Sequence, residues 1–217
     1  MEMKEHIEII INNTFATLKD VYENQKEGYI YNPNSISSRL IFPQYSNSKK
    51  YRNGETRLSE QELRFIFVEQ FNKYLDKYNK DKPESERLNW FYSVETPTEY
   101  KYIFTEDGEK SKKPRKANKD EKGQSAMVDF AIHSGNKFER LALVEFKALN
   151  PETLCFTKDF AKLEAESVEN TYFVMYVKSH NVRTIESLKC KVSTNIGKTK
   201  FYCYDLESGL RIDTEIV

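Results

Sequence analysis

The side chains best placed to do chemistry in this chain are Asp129, Glu145 and Lys147. Asp129 interrupts the apolar run Met127-Val128-Asp129-Phe130-Ala131-Ile132, and Glu145 and Lys147 interrupt Leu143-Val144-Glu145-Phe146-Lys147-Ala148. A strand covered on both faces is normally an unbroken run of Val, Ile, Leu and Phe. Charges inside such runs are expensive to bury without a task. Side chains alternate across a strand, so Glu145 and Lys147 share one face and Phe146 takes the other. About ten residues separate the two runs, among them the turn-forming Ser134-Gly135-Asn136. A hairpin there would set Asp129 beside Glu145 and Lys147. Paired carboxylates make a hard-oxygen site for Mg²⁺ or Mn²⁺, which keeps several waters and takes other ligands from a phosphate. Such an ion lowers the pKa of its water and neutralises charge on phosphate oxygens. A neighbouring lysine orients or helps deprotonate the attacking water, or stabilises the pentavalent phosphorus.

At these residues the chain resembles the PD-(D/E)XK superfamily, the restriction-endonuclease-like nucleases. Asp129 matches the first acid of the motif, and Glu145-Phe146-Lys147 its E-x-K element; Val128 stands where the family pattern often has Pro. The resemblance implies an α/β fold with a restriction-endonuclease-like core, a mixed central sheet flanked by helices, and an N-terminal helical addition. It implies a metal-dependent nuclease (a hydrolase) acting on phosphodiester bonds, DNA favoured over RNA, in defence or repair. Asp129 and Glu145 would hold Mg²⁺ or Mn²⁺, Lys147 would position the water, and a helix glutamate would complete the site. Glu62 is the first candidate and Glu69, seven residues on and on the same helical face, the second. Thr157 to Leu163 is similar to the K-D-x-x-K-L helix that follows the E-x-K strand in several nuclease-like families. Lys162 is there a phosphate contact, or else the partner of Asp159 in an i,i+3 pair on a solvated face. The alternative reading is a non-catalytic nucleic-acid-binding or regulatory subunit that keeps the fold.

The elements needed to position these groups are legible in order. Ser59 with Glu62 has the form of a capping box, opening a helix through Leu63, Ile66, Phe67, Phe71, Tyr74 and Tyr78. Trp90 to Thr96 and Tyr100 to Phe104 read as two aromatic-rich strands divided at Thr96-Pro97. The two charged strands follow, then a helix from Lys158 to Val168 and strands at Thr171 to Val177 and Phe201 to Asp205. The segment from Ala148 to Tyr172 is long enough for a parallel β-α-β crossover. Met3, Ile7, Ile10, Ile11, Phe15, Leu18, Val21 and Tyr22 mark an amphipathic first helix. Residues 1–57 are thus an N-terminal helix and irregular connection packed on the core, and residues 58–217 the nuclease-like domain, a size that suits one α/β unit.

A formal net charge of zero excludes a generic polyanion binder, but the charge is uneven. Lys110, Lys112, Lys113, Arg115, Lys116 and Lys119 fall in ten residues without an acid. This stretch reads as a mobile loop between strands, with Lys112, Lys113, Arg115 and Lys116 as backbone-phosphate contacts that carry affinity but no sequence information. Three cysteines without metal-ligand spacing suggest free thiols in a reducing compartment. Without an apolar leader or a run long enough to span a bilayer, a cytoplasmic protein is expected, as a homodimer or in a larger assembly. No glycine-rich phosphate loop is present, which argues against an NTP-driven enzyme.

Overall fold

The computed structural model describes residues 1–27, 37–46, 49, 51–106 and 109–217. The chain opens with α1 (Met3–Glu27) and α2 (Glu60–Asn79). Four strands follow, β1 (Trp90–Glu106), β2 (Glu109–Lys116), β3 (Gln124–Ser134) and β4 (Arg140–Ala148). Then come α3 (Thr153–Ala165), β5 (Asn170–Val177), α4 (Val182–Asn195), β6 (Lys200–Asp205) and the short α5 (Asp213–Ile216). Among the described residues, six strands form one mixed sheet in the order β2-β1-β3-β4-β5-β6. β1, β2, β3 and β4 pair antiparallel, whereas β4, β5 and β6 run parallel. The change falls at β4, because α3 carries the chain over the sheet and returns it beside β4 in the same direction.

Helices cover both faces. On one, Ile7, Ile11, Phe15 and Leu18 of α1 and Leu63, Phe67 and Phe71 of α2 pack with Phe130, Val144, Phe146, Val174 and Tyr204. On the other, Phe156, Phe160 and Leu163 of α3 and Leu188 and Val192 of α4 pack with Leu143, Phe173, Met175, Phe201 and Cys203. β4 and β5 are therefore buried on both faces, which explains their near-continuous apolar sequences. No helix of the described residues is long and apolar enough to cross a membrane.

Three sequence expectations need correction, and one element was missed. The aromatic segments on either side of Pro97 are one strand, β1, and the register shifts between Pro97 and Lys101 instead of the chain turning. Pro97 has no N–H to give, and a local irregularity is where a sheet tolerates that. The basic stretch is not a loop: its backbone forms β2, an edge strand antiparallel to β1. Lysine is suited to such an edge because its charge discourages pairing with another chain. α3 begins at Thr153, five residues before the expected start at Lys158. α4 was not anticipated, although the Asn181 side chain accepts from the Thr184 N–H at 3.0 Å, a helix-opening signal visible as Asn181-x-x-Thr184.

Candidate active site

The hairpin forms as its pattern implies, and its register explains how the charges meet. Phe130 pairs with Val144, Ala131 with Leu143 and Ile132 with Ala142. Toward Asp129 the ladder ends at Phe130, so Asp129 has no backbone partner across in β4. Its Oδ2 instead accepts the Phe146 N–H at 2.8 Å, a donor the ladder would otherwise have used. β4 continues past that point attached to β5 alone, with Glu145 beside Phe173 and Lys147 beside Met175. The two strands splay, and the charged side chains stand in the gap.

Irregularity on the other side of β3 completes the gap. Val94 pairs with Phe130 and Thr96 with Val128, which leaves Glu95 facing Asp129 without a paired position. Glu95 has φ +47°, in the left-handed region that residues other than glycine seldom adopt. Such a conformation costs on the order of 1–3 kcal/mol and gathers at functional sites. It lets the Glu95 carboxylate receive Arg64 Nη1 at 2.6 Å, while Nη2 of the same guanidinium donates to Asp129 Oδ1 at 2.5 Å. Arg64 comes from α2, one turn beyond Glu60, and both point at the gap.

The other half of the site is built by α3. Lys162 donates to Glu145 Oε1, to Asp159 Oδ1 at 2.9 Å and to the Met127 carbonyl at 2.7 Å. Those three acceptors use all three ammonium protons. Asp159 also pairs with Lys147 at 2.9 Å, and Lys147 reaches Glu60 at 3.3 Å. The chain of contacts runs Glu60, Lys147, Asp159, Lys162, Glu145, with Asp129, Arg64 and Glu95 alongside. With every group ionised, five carboxylates face three cations, an excess of two negative charges.

Burial and these neighbours together set the acid–base behaviour of the cluster. Burial, followed by the field of Asp159, pushes the Glu145 carboxyl well above the ordinary carboxylate range, and Lys162 offsets this only in part. Burial also works against ionising Asp159, but Lys162 and Lys147 outweigh it and hold that carboxyl low. Burial opposes the charge on Lys147 as well; Asp159, Glu145 and Glu60 prevail and raise its pKa, so it is an ammonium at neutral pH. Lys147 is therefore a fixed cation, the charge state in which a lysine can orient water or stabilise negative charge.

Asp129, Glu145 and Lys147 are thus brought together as the sequence suggests. Glu62 is not part of this group: its Oε2 receives the Ser59 N–H at 2.9 Å and the Ser59 hydroxyl at 2.6 Å, closing the capping box. Glu69 accepts from Ser38 at 2.6 Å and pairs with Lys73, away from the sheet. Glu60 is the α2 carboxylate that reaches the cluster. Lys162 is not a surface phosphate contact, since it is buried with its donors filled by Glu145, Asp159 and Met127. The Lys112 and Lys113 side chains lie outside the described residues. Arg115 forms a two-point pair with Glu121 at 2.7 and 2.8 Å, and Lys116 sits over the Tyr100 ring. Sequence reasoning missed Glu60, Arg64 and Glu95. The first two are four residues apart on one helical face, a detectable signal; Glu95 gives none.

Among the described residues no three His, Cys, Asp or Glu side chains form a ready metal cage. The donor set fits a less complete site. Two hard-oxygen carboxylates, Asp129 and Glu145, lie near each other; both oxygens of Asp129 receive a hydrogen bond, whereas Glu145 receives one at Oε1 and none at Oε2 among the described residues. Mg²⁺ characteristically binds through one or two carboxylates plus water and phosphate. Comparison of the chain with family models, curated proteins and solved structures returns no match.

Proposed function

We propose that this protein is a metal-dependent phosphodiesterase of the restriction-endonuclease-like kind, cutting nucleic acid, with DNA favoured over RNA. The observation that carries the reading is Glu145: a carboxylate at 1% side-chain exposure whose one donor among the described residues is Lys162, beside Asp129 and within a cluster of excess negative charge. Its second oxygen receives no hydrogen bond among the described residues, which leaves a hard-oxygen donor for a cation. The helix, antiparallel strands, crossover helix and parallel strand from α2 to β5 follow the order expected of the restriction-endonuclease-like core.

In this reading Asp129 Oδ1 and Glu145 Oε2 hold Mg²⁺ or Mn²⁺. The ion would acidify a bound water and neutralise charge on the phosphate. Lys147, kept protonated by Asp159 and Glu60, orients that water and stabilises negative charge gathering on the phosphate oxygens. Asp159 fixes both lysines, and Lys162 fixes Glu145. β2 supplies the flanking electrostatics. Asp129 and Gln124 are five residues apart, about 17 Å along β3, and Gln124 pairs with Tyr102, which pairs with Lys116. Lys112, Lys113, Arg115 and Lys116 then contact backbone phosphates several nucleotides from the cut.

A second reading has its own observation. Asp129, Glu145 and Asp159 each already have a cation, as in a self-neutralised binding module. Incubating the protein with plasmid DNA, single-stranded DNA and RNA, with Mg²⁺, Mn²⁺ or EDTA, separates the two. Metal-dependent cleavage that disappears in Asp129→Ala supports the enzyme. Binding without cleavage under any metal favours the module. Neutralising the four basic residues of β2 should flatten the salt dependence of binding by roughly one unit of slope for each phosphate no longer neutralised. An unchanged slope would remove β2 from the interface.

A further inference from the structure

Two cations occupy the two proposed ligands, and they are not equivalent. Lys162 is locked: Glu145, Asp159 and the Met127 carbonyl accept all its protons. Arg64 is not. One of its two ion pairs is to Glu95, whose side chain is 57% exposed and whose backbone is held in the left-handed region. Its Nε–H is buried and finds no acceptor among the described residues. A buried donor left without a partner in a charged cleft is the signature of a missing acceptor, and the planar guanidinium fork matches phosphate oxygens in two-point geometry.

We propose that Arg64 is a placeholder at the Asp129 site: its guanidinium neutralises Asp129 until a divalent ion arrives, then turns to the substrate's phosphate. This rests on the nuclease reading and adds to it a residue with two alternating anionic partners. The guanidinium donates to Asp129 Oδ1 at 2.5 Å, so a dication at that oxygen would meet a full positive charge at close range. Metal and the Arg64–Asp129 pair therefore compete. The displaced guanidinium keeps Glu95 as a pivot through Nη1, leaving Nη2 and Nε free on one edge of the fork. That edge is the one that binds a phosphate in two-point fashion.

Mn²⁺ binding tests this without reference to turnover. The full chain would be titrated with Mn²⁺, and the decline of the free-ion electron paramagnetic resonance signal followed, for the wild type and for Arg64→Met, Arg64→Gln, Arg64→Lys and Asp129→Asn. Removing the charge in Arg64→Met should tighten Mn²⁺ binding by about tenfold or more, because an opposing charge beside the ligand is gone. Arg64→Gln keeps a polar group beside Asp129, serves if the methionine variant fails to fold, and should behave the same way. Arg64→Lys should stay near the wild-type affinity, and Asp129→Asn should abolish binding. At saturating Mn²⁺ the uncharged variants should cleave roughly 10²–10³-fold more slowly, the loss typical of one electrostatic group. Unchanged or weaker Mn²⁺ binding in both uncharged variants, with Asp129→Asn still abolishing it, overturns the placeholder and leaves the nuclease reading standing. No Mn²⁺ binding in the wild type or any Arg64 variant overturns both.

Discussion

Two buried glutamates on this sheet invite comparison. Glu145 and Glu166 are both withdrawn from solvent, at 1% and 0% side-chain exposure. Glu166 follows α3 and accepts the Tyr102 hydroxyl and the Glu99 N–H, each at 2.8 Å, and Arg140 Nη1 at 3.1 Å. Both of its oxygens are engaged, and one cation balances one charge. Glu145 has one donor, a pKa raised by burial and then by two neighbouring carboxylates, and a second oxygen that receives no hydrogen bond among the described residues. In the proposed reading, saturation and not depth separates the structural carboxylate from the one that takes a ligand. Glu166 ties α3 to β1 and β4, whereas Glu145 keeps one oxygen without a hydrogen-bond donor among the described residues, where β3 and β4 part.

Exchanging the carboxylates' roles by mutation gives the largest expected effects. Asp129→Ala and Glu145→Gln should abolish cleavage while the circular dichroism spectrum stays native. Glu166→Gln should retain the rate per folded molecule but lose about 3 kcal/mol in denaturant unfolding, the cost of leaving buried partners uncompensated. Native-like stability in Glu166→Gln, or parental cleavage in Asp129→Ala, would dissolve the distinction. Next comes Lys147→Ala, expected to lower the rate by about two to four orders of magnitude. Its rate against pH should show no new basic limb near neutrality, because Lys147 is a charged group and not the base. A limb that disappears with Lys147 would make it one.

The smallest effect concerns a third buried carboxylate, Asp205, which resembles Glu166. It accepts the His180 N–H at 2.9 Å, the Ser208 N–H at 2.8 Å and the His180 ring. Burial opposes its ionisation, but the Ser208 and His180 hydrogen bonds outweigh this and hold its pKa below the usual aspartate value. A carboxyl lowered on folding adds stability above its unfolded pKa, near 3.9, that is lost as pH falls through the folded value. Asp205→Asn should therefore cost roughly 1 kcal/mol at neutral pH, and the gap to wild type should close below about pH 4. A gap that stays constant down to pH 2 would show that Asp205 acts through shape and not charge.

Much of the fold was visible in the sequence because its signals are periodic and local. The capping box at Ser59 and Glu62, the stripe from Leu63 to Phe71 and the apolar run of β5 each reflect one element's own geometry. The three chemical residues stood out for the same reason, being charges in runs that should have none. What could not be read depends on where strands stop pairing. The end of the β3–β4 ladder after Phe130 and Val144 decides that Asp129 takes the Phe146 N–H, and no local pattern encodes that. Nor does composition show that Glu62 spends itself on Ser59 while Glu60, two residues earlier, meets Lys147. The β2 lysines misled because charge and Pro114 mimic loop composition, whereas an edge strand tolerates both.

The ties that bring α2 to the cleft are long ones. Arg64 meets Asp129 across 65 residues of sequence, and Lys147 meets Glu60 across 87. Each closes a loop whose entropy must be spent before the contact gives anything back. During folding, the hairpin and the β4–α3–β5 crossover have shorter loops to close and bury apolar side chains as they do. The α2 side of the charged cleft, Glu60 and Arg64, has neither advantage until α2 docks. It belongs to the last steps of folding and, taken in reverse, to the first local openings of the native state.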